Sequence, residues 1–131
     1  MKRNLLSLFI LLSTTVSYGQ TIEVKFTKGA SKALNLVATL PEVVNASNYV
    51  EKVSKGKRHL RTRLESDPTK DEPYYRITVV EDNGITDYVH FTFLVEPKTF
   101  AIQYEDTVTA DNKLIPEKKC RKRLMDAYHI K

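Results

Sequence analysis

The stretch of residues 74–104 constrains the fold most, because three runs of strand-forming residues alternate there with two turn signals. The first run, Tyr-Tyr-Arg-Ile-Thr-Val-Val-Glu, ends at Asp82-Asn83-Gly84. The second run, residues 88–95, ends at Glu96-Pro97-Lys98, and the third covers residues 100–104. Aromatic and β-branched residues between Gly, Asn and Pro turns are typical of β-hairpins. The stretch therefore predicts an antiparallel meander.

Alternation of apolar and polar residues divides this predicted sheet into two faces. Residues 57–65 alternate in the same way, which adds a fourth strand, with Leu60, Thr62 and Leu64 on the apolar face. The polar, proline-containing residues 66–73 are predicted to form the loop that follows it. The predicted core face of the meander itself consists of Tyr75, Ile77, Val79, Val89, Phe91, Phe93, Val95, Phe100, Ile102 and Tyr104.

The apolar spacing changes to a helical period between Ala30 and Val53. Proline suits the first turn of a helix rather than its middle, so Pro41 favours two helices, at residues 30–39 and 41–54. One helix kinked at Pro41 is the alternative. Before the helices, Ile22 and Phe26 belong to a short alternating segment that predicts an N-terminal strand.

The N-terminus has the pattern of a secretory signal peptide. Met1-Lys2-Arg3 is basic, residues 5–12 are largely apolar, and Ser17-Tyr18-Gly19 places small residues at a cleavage site. The apolar run is shorter than the ~20 residues that span a bilayer. We therefore expect export to the periplasm or the outside, with a signal peptide at 1–19 and a single domain at 20–131.

The positive charge of the chain is concentrated at its C-terminal end. The formal net charge is +5, yet residues 113–131 hold seven basic and two acidic residues. Residues 20–112 carry 12 basic and 14 acidic residues, a balance that disfavours a nucleic-acid partner. The tail predicts a short basic amphipathic helix that starts at Pro116, with Arg121 and its lysine neighbours facing away from the apolar side. Contact with an anionic membrane surface is an alternative for this helix.

Residues that could carry chemistry are scattered. The three histidines, His59, His90 and His129, lack the spacing of a zinc site, so no metal and no other cofactor is expected. The single cysteine, Cys120, excludes an intramolecular disulfide and favours an inert thiol over a nucleophile. Acidic residues, Glu65 and Glu81 among them, are assigned to solvated loops. We therefore do not expect an enzyme.

The face opposite the predicted core is the candidate binding surface, because protein interfaces favour Tyr and Arg. The alternative is an ordinary solvated sheet face, in which Tyr and Thr only favour strands. Thr78, Thr92 and Leu94 share this face. The candidate partner-binding residues on it are His59, Arg61, Arg63, Tyr74, Arg76, Tyr88 and His90.

The order of elements, one strand, a helical region and four antiparallel strands, resembles the cystatin-like α+β folds, in which a sheet wraps a helix. Residues 74–106, with Asn83-Gly84, Val95-Glu-Pro-Lys-Thr99 and Tyr104-Glu-Asp106, also resemble small exported bacterial proteins of PepSY-like or cystatin-like type. Cystatin inhibitors use a Gln-x-Val-x-Gly loop, which residues 66–73 lack. The resemblance therefore implies a fold and does not imply inhibition of papain-like proteases.

These observations predict an exported, non-enzymatic binding module of inhibitor or immunity type, acting as a monomer or weak dimer. Its partner would be a protein or peptide, bound by the outer sheet face or by loops 66–73 and 82–86. The alternative is a small-ligand pocket, enzymatic or not, between helix and sheet. Tyr75 and Tyr104 are the polar groups such a pocket would use.

Overall fold

Two helices pack against one antiparallel sheet in the computed structural model, which describes residues 25–106, 113–116 and 121. The helices are α1 (Lys28–Ala38) and α2 (Pro41–Val53). The strands follow the chain in spatial order and pair antiparallel with their neighbours. The α+β class and the antiparallel meander are thus confirmed. The strands are β1 (His59–Ser66), β2 (Tyr75–Asp82), β3 (Asp87–Val95), β4 (Ile102–Asp106) and β5 (Lys113–Pro116).

The helix boundaries follow from their end residues. Thr27 caps α1, because its Oγ1 accepts a hydrogen bond from the Ala30 amide at 3.1 Å. Pro41 opens α2 at a position where its missing N–H has no helical partner to lose, so the two-helix prediction is confirmed. Beyond α2, the Gly56 amide donates to the Glu51 carbonyl at 2.8 Å, which closes the helix as a Schellman turn.

A β-bulge at His90 interrupts the pairing of β2 with β3. Val79 pairs with Phe91, but the next residue of β2, Val80, pairs with Val89, so His90 is an extra residue on β3. An extra residue shifts the side-chain alternation by one position. In the part of β3 before the bulge, each side chain therefore lies on the opposite face of the sheet from the one that strict alternation predicts. Asp87 and Val89 lie on the outer face, and Tyr88 lies on the inner face.

The hydrophobic core lies between the helices and the inner face of the sheet. Ala33 and Val37 of α1 meet Ile77 and Phe93 of the sheet, and all four are fully buried. The predicted core is confirmed except at Val89, which is 45% exposed because the bulge turns it to the outer face. The partly buried members of the cluster are Leu34, Leu60, Leu64, Phe100 and Ile102.

The N-terminal predictions fall mostly outside the described residues. The expected signal peptide and the first residues of the expected strand belong to residues 1–24, of which the structure describes none. Lys25, Phe26 and Thr27 are not in a strand, and Phe26 is about half exposed. The strand prediction is therefore wrong for its last residues, since Thr27 serves as the cap of α1.

The C-terminal region departs from the predicted helix at its start. Pro116 is the last residue of β5, which pairs with β4, so the predicted helix start there is wrong. Proline is tolerated in this position because β5 is the last strand of the described sheet. Arg121 is helical, in agreement with the tail prediction, and the rest of the predicted helix lies outside the described ranges.

Replacing Phe93 by Ala should destabilise the protein by ~3–5 kcal/mol, because its fully buried ring would leave a cavity in the core. Val89→Ala is the matched control on the same strand. With Val89 at 45% exposure, its loss should stay below ~1 kcal/mol. Urea unfolding of both variants measures the difference, and equal losses would contradict the register described above.

Candidate functional site

Asp87 binds two of the predicted partner-binding arginines, and Glu65 supplies a second carboxylate to one of them, Arg63. Its Oδ2 accepts hydrogen bonds from Arg61 Nη2 at 2.8 Å and from Arg63 Nη1 at 2.7 Å. Asp87 follows Asn83 and Gly84 at the start of β3, and the bulge places it on the outer face below both guanidinium groups. The basic charge predicted at this end of the outer face is therefore compensated within the chain.

The other half of the outer face is compensated in the same way. Arg76 donates to Glu72 Oε1 at 2.8 Å and to Glu105 Oε2 at 2.6 Å, and this contact with Glu105 raises the pKa of Arg76. Glu65 accepts hydrogen bonds from Thr78 and Arg63, which hold its pKa below the usual range. The assignment of Glu65 to a solvated loop is wrong, because it lies in β1.

The central side chains of the outer face are also less exposed to solvent than those of an ordinary solvated sheet face. Thr78, Val80, Thr92 and Leu94 all have outward positions in the register, and each is less than 9% exposed. At the margins of the face, the charged side chains and Val89 reach solvent. This face therefore lacks the broad accessible surface that the alternation of the sequence predicted.

Two predicted site residues, Tyr88 and His90, lie on the other side of the sheet. The bulge turns both toward Glu81, and His90 Nε2 lies 2.7 Å from Glu81 Oε2. Arg58 Nη2 donates to the same carboxylate oxygen at 2.8 Å, and Arg58 Nε donates to the other oxygen. The assignment of Glu81 to a loop is wrong, since it is a buried strand residue held by these contacts.

The contacts of Glu81 stabilise its charged form. The hydrogen bonds from Arg58, opposed by burial and assisted by His90, lower the pKa of Glu81 to about 2. The ring of Tyr88 stands edge-on to the ring of His90, with centroids 5.1 Å apart. This cluster joins the start of β1 to β2 and β3, and both carboxylate oxygens of Glu81 accept hydrogen bonds within it. We therefore interpret the cluster as an ion network that stabilises the fold.

The remaining predicted site residues lie apart from each other. His59 is exposed at the start of β1, and Tyr74 is half-buried just before β2. His59 pairs in register with Asp82 at one end of the sheet, whereas Tyr74 lies near the opposite end. The structure therefore brings together Arg61 and Arg63 and, separately, Tyr88 and His90, and it does not assemble the seven residues into one surface.

The loop between β2 and β3 presents a single large apolar side chain. Ile85 is 91% exposed at its tip. Asn83 Oδ1 accepts hydrogen bonds from the Ile85 amide at 3.0 Å and the Thr86 amide at 2.9 Å, and Asp82 Oδ1 accepts one from the Gly84 amide at 2.9 Å. Gly84 has φ +82°, a conformation that favours glycine. Local side-chain contacts thus fix the backbone that carries Ile85.

The hairpin loop continues into a small polar depression of about 290 Å³. Arg61 forms its wall from β1, and the carboxylates of Asp82 and Asp87 flank the tip. Because Asp87 binds both Arg61 and Arg63, the ion pairs predicted to recruit a partner instead anchor the base of the loop. The fixed loop with an apolar tip could have been predicted from the sequence Asp82-Asn83-Gly84, because a turn motif is followed there by the aliphatic Ile85.

A second depression of about 400 Å³ lies between α2 and β1. Its lining is largely neutral and includes Val43 and Val44 of α2 and Leu60 of β1, with Arg61 as the charged member. Val44 is 42% exposed there. Tyr75 and Tyr104, the polar groups expected for an internal pocket, belong instead to the hydrophobic core.

Within the described ranges, no three His, Cys, Asp or Glu side chains are grouped as metal ligands would be. The helices described for the chain are too short and too polar to cross a bilayer. Arg121 contacts α2, because its Nε donates to Oε2 of the buried Glu42 at 3.2 Å. The apolar side from which Arg121 is predicted to face away consists of residues outside the described ranges.

Comparison with protein-family models, curated proteins and solved structures finds no match to this chain. Function is therefore argued from the geometry of the described surfaces.

The lowered pKa of Glu81 leads us to expect that the free energy of unfolding falls in acid. Its pKa of about 2 lies below the ~4.3 of a free Glu, so the unfolded chain binds a proton first as the pH falls. The resulting stabilisation is complete above pH ~5 and disappears toward pH 2, a loss on the order of 3 kcal/mol. Chemical unfolding of wild type and Glu81→Gln at pH 5 and pH 2 measures this contribution.

The variant Glu81→Gln should show a smaller loss between the two pH values than wild type. The matched control is Glu51→Gln, because Glu51 is exposed on α2. A control that flattens the pH dependence as much as Glu81→Gln would contradict the assignment.

Proposed function

We propose that this chain is an exported, non-enzymatic binding module that engages a partner protein through the β2–β3 loop. The observation that carries the proposal is Ile85, 91% exposed on a loop whose backbone is fixed by Asp82 and Asn83. The partner would supply an apolar pocket for Ile85. Export and the absence of catalysis remain the expectations drawn from the sequence.

The energetics of binding support a fixed loop with one anchor. Ordering a loop on binding costs free energy, and a loop already held in its bound conformation avoids that cost. Burying one aliphatic side chain contributes ~1.5–3 kcal/mol, or roughly tenfold to a hundredfold in affinity. Exposed apolar anchors surrounded by polar groups are typical of interfaces, and Asp82, Arg61 and Asp87 provide that polar rim.

Arg61 and Arg63 support the loop in this proposal, whereas the sequence predicted that they bind the partner directly. Arg61 and Arg63 are engaged by Asp87, so an acidic partner gains little from them without breaking existing ion pairs. Their support for the loop base keeps them near the proposed contact. Arg61 remains a rim residue, and the cystatin-like and PepSY-like resemblance remains a proposal about the fold.

The alternative function is binding of a small neutral ligand in the groove between α2 and β1. The 400 Å³ volume favours it, whereas the core positions of Tyr75 and Tyr104 remove the polar groups expected to orient such a ligand. Val44→Trp would fill the groove from its exposed side. A compound that raises the unfolding midpoint of wild type and not of Val44→Trp would support this alternative over the loop.

The loop proposal is tested by capturing proteins from the native envelope and culture fluid on the purified chain, followed by identification by mass spectrometry. We expect a protein that wild type retains and that Ile85→Asp loses, because a carboxylate cannot enter an apolar pocket without a large desolvation cost. Ile85→Val should retain it, since most of the aliphatic surface remains.

The control is Val53→Asp, the same change in chemistry at an exposed position of α2. Unfolding curves of all three variants check that each one folds. Equal retention by wild type, Ile85→Asp and Val53→Asp would overturn the proposal, and loss by Val53→Asp alone would move the site to α2.

A further inference from the structure

Strand β1 lies at one edge of the described sheet. Among the described residues it pairs only with β2, so every second residue directs its backbone N–H and C=O away from the sheet. A bulge at Glu65 follows the regular part of β1, which runs from His59 to Leu64. Such an edge is a template for another strand.

The residues of this edge read the same in both directions. Leu60, Arg61, Thr62, Arg63 and Leu64 form the palindrome Leu-Arg-Thr-Arg-Leu. A second copy of β1, placed antiparallel with Thr62 opposite Thr62, pairs each residue with a compatible one. Two-fold dimers require a surface that is complementary to itself in this way.

The pairs on the inner face are favourable. Leu60 of one copy meets Leu64 of the other at both ends of the palindrome, and the two Thr62 side chains meet at its centre. Aliphatic and Thr–Thr pairs directly opposite each other stabilise antiparallel strands. Leu60 and Leu64 are only partly buried in the single chain, so a neighbouring strand has apolar surface left to cover.

The charges on the outer face permit the same pairing. Arg61 of one copy would lie opposite Arg63 of the other, an arrangement that like charges alone would oppose. In this chain, however, Asp87 binds both guanidinium groups and Glu65 binds Arg63. Asp87 draws both guanidinium groups toward β3, away from the edge, and Glu65 supplies a second carboxylate, so each copy brings two carboxylates for its two arginines. The exposed His59 would face Glu65 of the second copy.

We propose that the free edge of β1 is occupied by a second copy of this chain, which joins the two sheets into one continuous sheet. The two-fold axis passes through Thr62 perpendicular to the sheet, so both pairs of helices lie on the same face. Each α2 groove, with the half-exposed Val44, then faces the other copy. The dimer surface excludes Ile85, and Arg61 lies at the margin of both proposed contacts.

Disulfide trapping tests this register. In a Cys120→Ser background, Thr62→Cys places two thiols on directly opposite residues, at the ~4.5–5.5 Å Cα separation that a disulfide accepts. His59→Cys is the control, because His59 is exposed and the same axis separates its two copies by about 20 Å, six residues along the strands. After mild oxidation, we expect roughly tenfold more covalent dimer from Thr62→Cys than from His59→Cys.

Sedimentation of the wild-type chain should also show twice the single-chain mass at high micromolar concentration. A single-chain mass would overturn the proposal and indicate that the edge is bare or covered by residues before Lys25. Equal trapping of both cysteines would overturn it as random thiol collision. Because Ile85→Asp should still dimerise, failure of this inference is distinguishable from failure of the loop proposal.

Discussion

The extra residue at His90 determines which side of the sheet each functional side chain occupies. Without it, Asp87 and Val89 would face the helices, and Tyr88 and His90 would face outward. With it, Asp87 meets Arg61 and Arg63 on the outer face, and His90 meets Glu81 near the start of β1. The two ion networks that hold this end of the sheet both depend on that one residue, and so does the anchoring of the hairpin loop.

Internal pairing of charges changes what the outer face can do. An arginine that already binds a carboxylate at 2.7–2.8 Å has little charge left to offer a partner. The same contacts hold Asp87, which begins the strand directly after the loop. In the proposed function, Arg61 and Arg63 therefore hold the base of the loop in place, and burial of Ile85 provides the binding free energy. The pairing of Arg61 and Arg63 with Asp87 and Glu65 also allows two copies of β1 to approach.

Much of the fold was predictable from local signals in the sequence. Pro41 separated the helices, Asp82-Asn83-Gly84 marked the hairpin, and the alternation after Tyr75 identified the inner face. The bulge was not predictable, because Tyr88, Val89 and His90 are residue types that fit either face of a strand. The long-range ion pairs of the arginines between residues 58 and 76 joined residues 23 to 29 positions apart, whose contacts depend on strand register and, for Asp87, on that bulge. Strand β5 was missed because its described span has only four residues.

The central claim is that the β2–β3 loop is held in one conformation by its own side chains and by the anchoring of Asp87. Backbone ¹⁵N relaxation of Gly84, Ile85 and Thr86 tests it most directly. The account predicts order parameters close to the ~0.85 of rigid strands, with a fall in the variant Asn83→Ala, which lacks the acceptor for two loop amides. Wild-type values below ~0.6 at these three amides would contradict a fixed loop and the anchor role of Ile85.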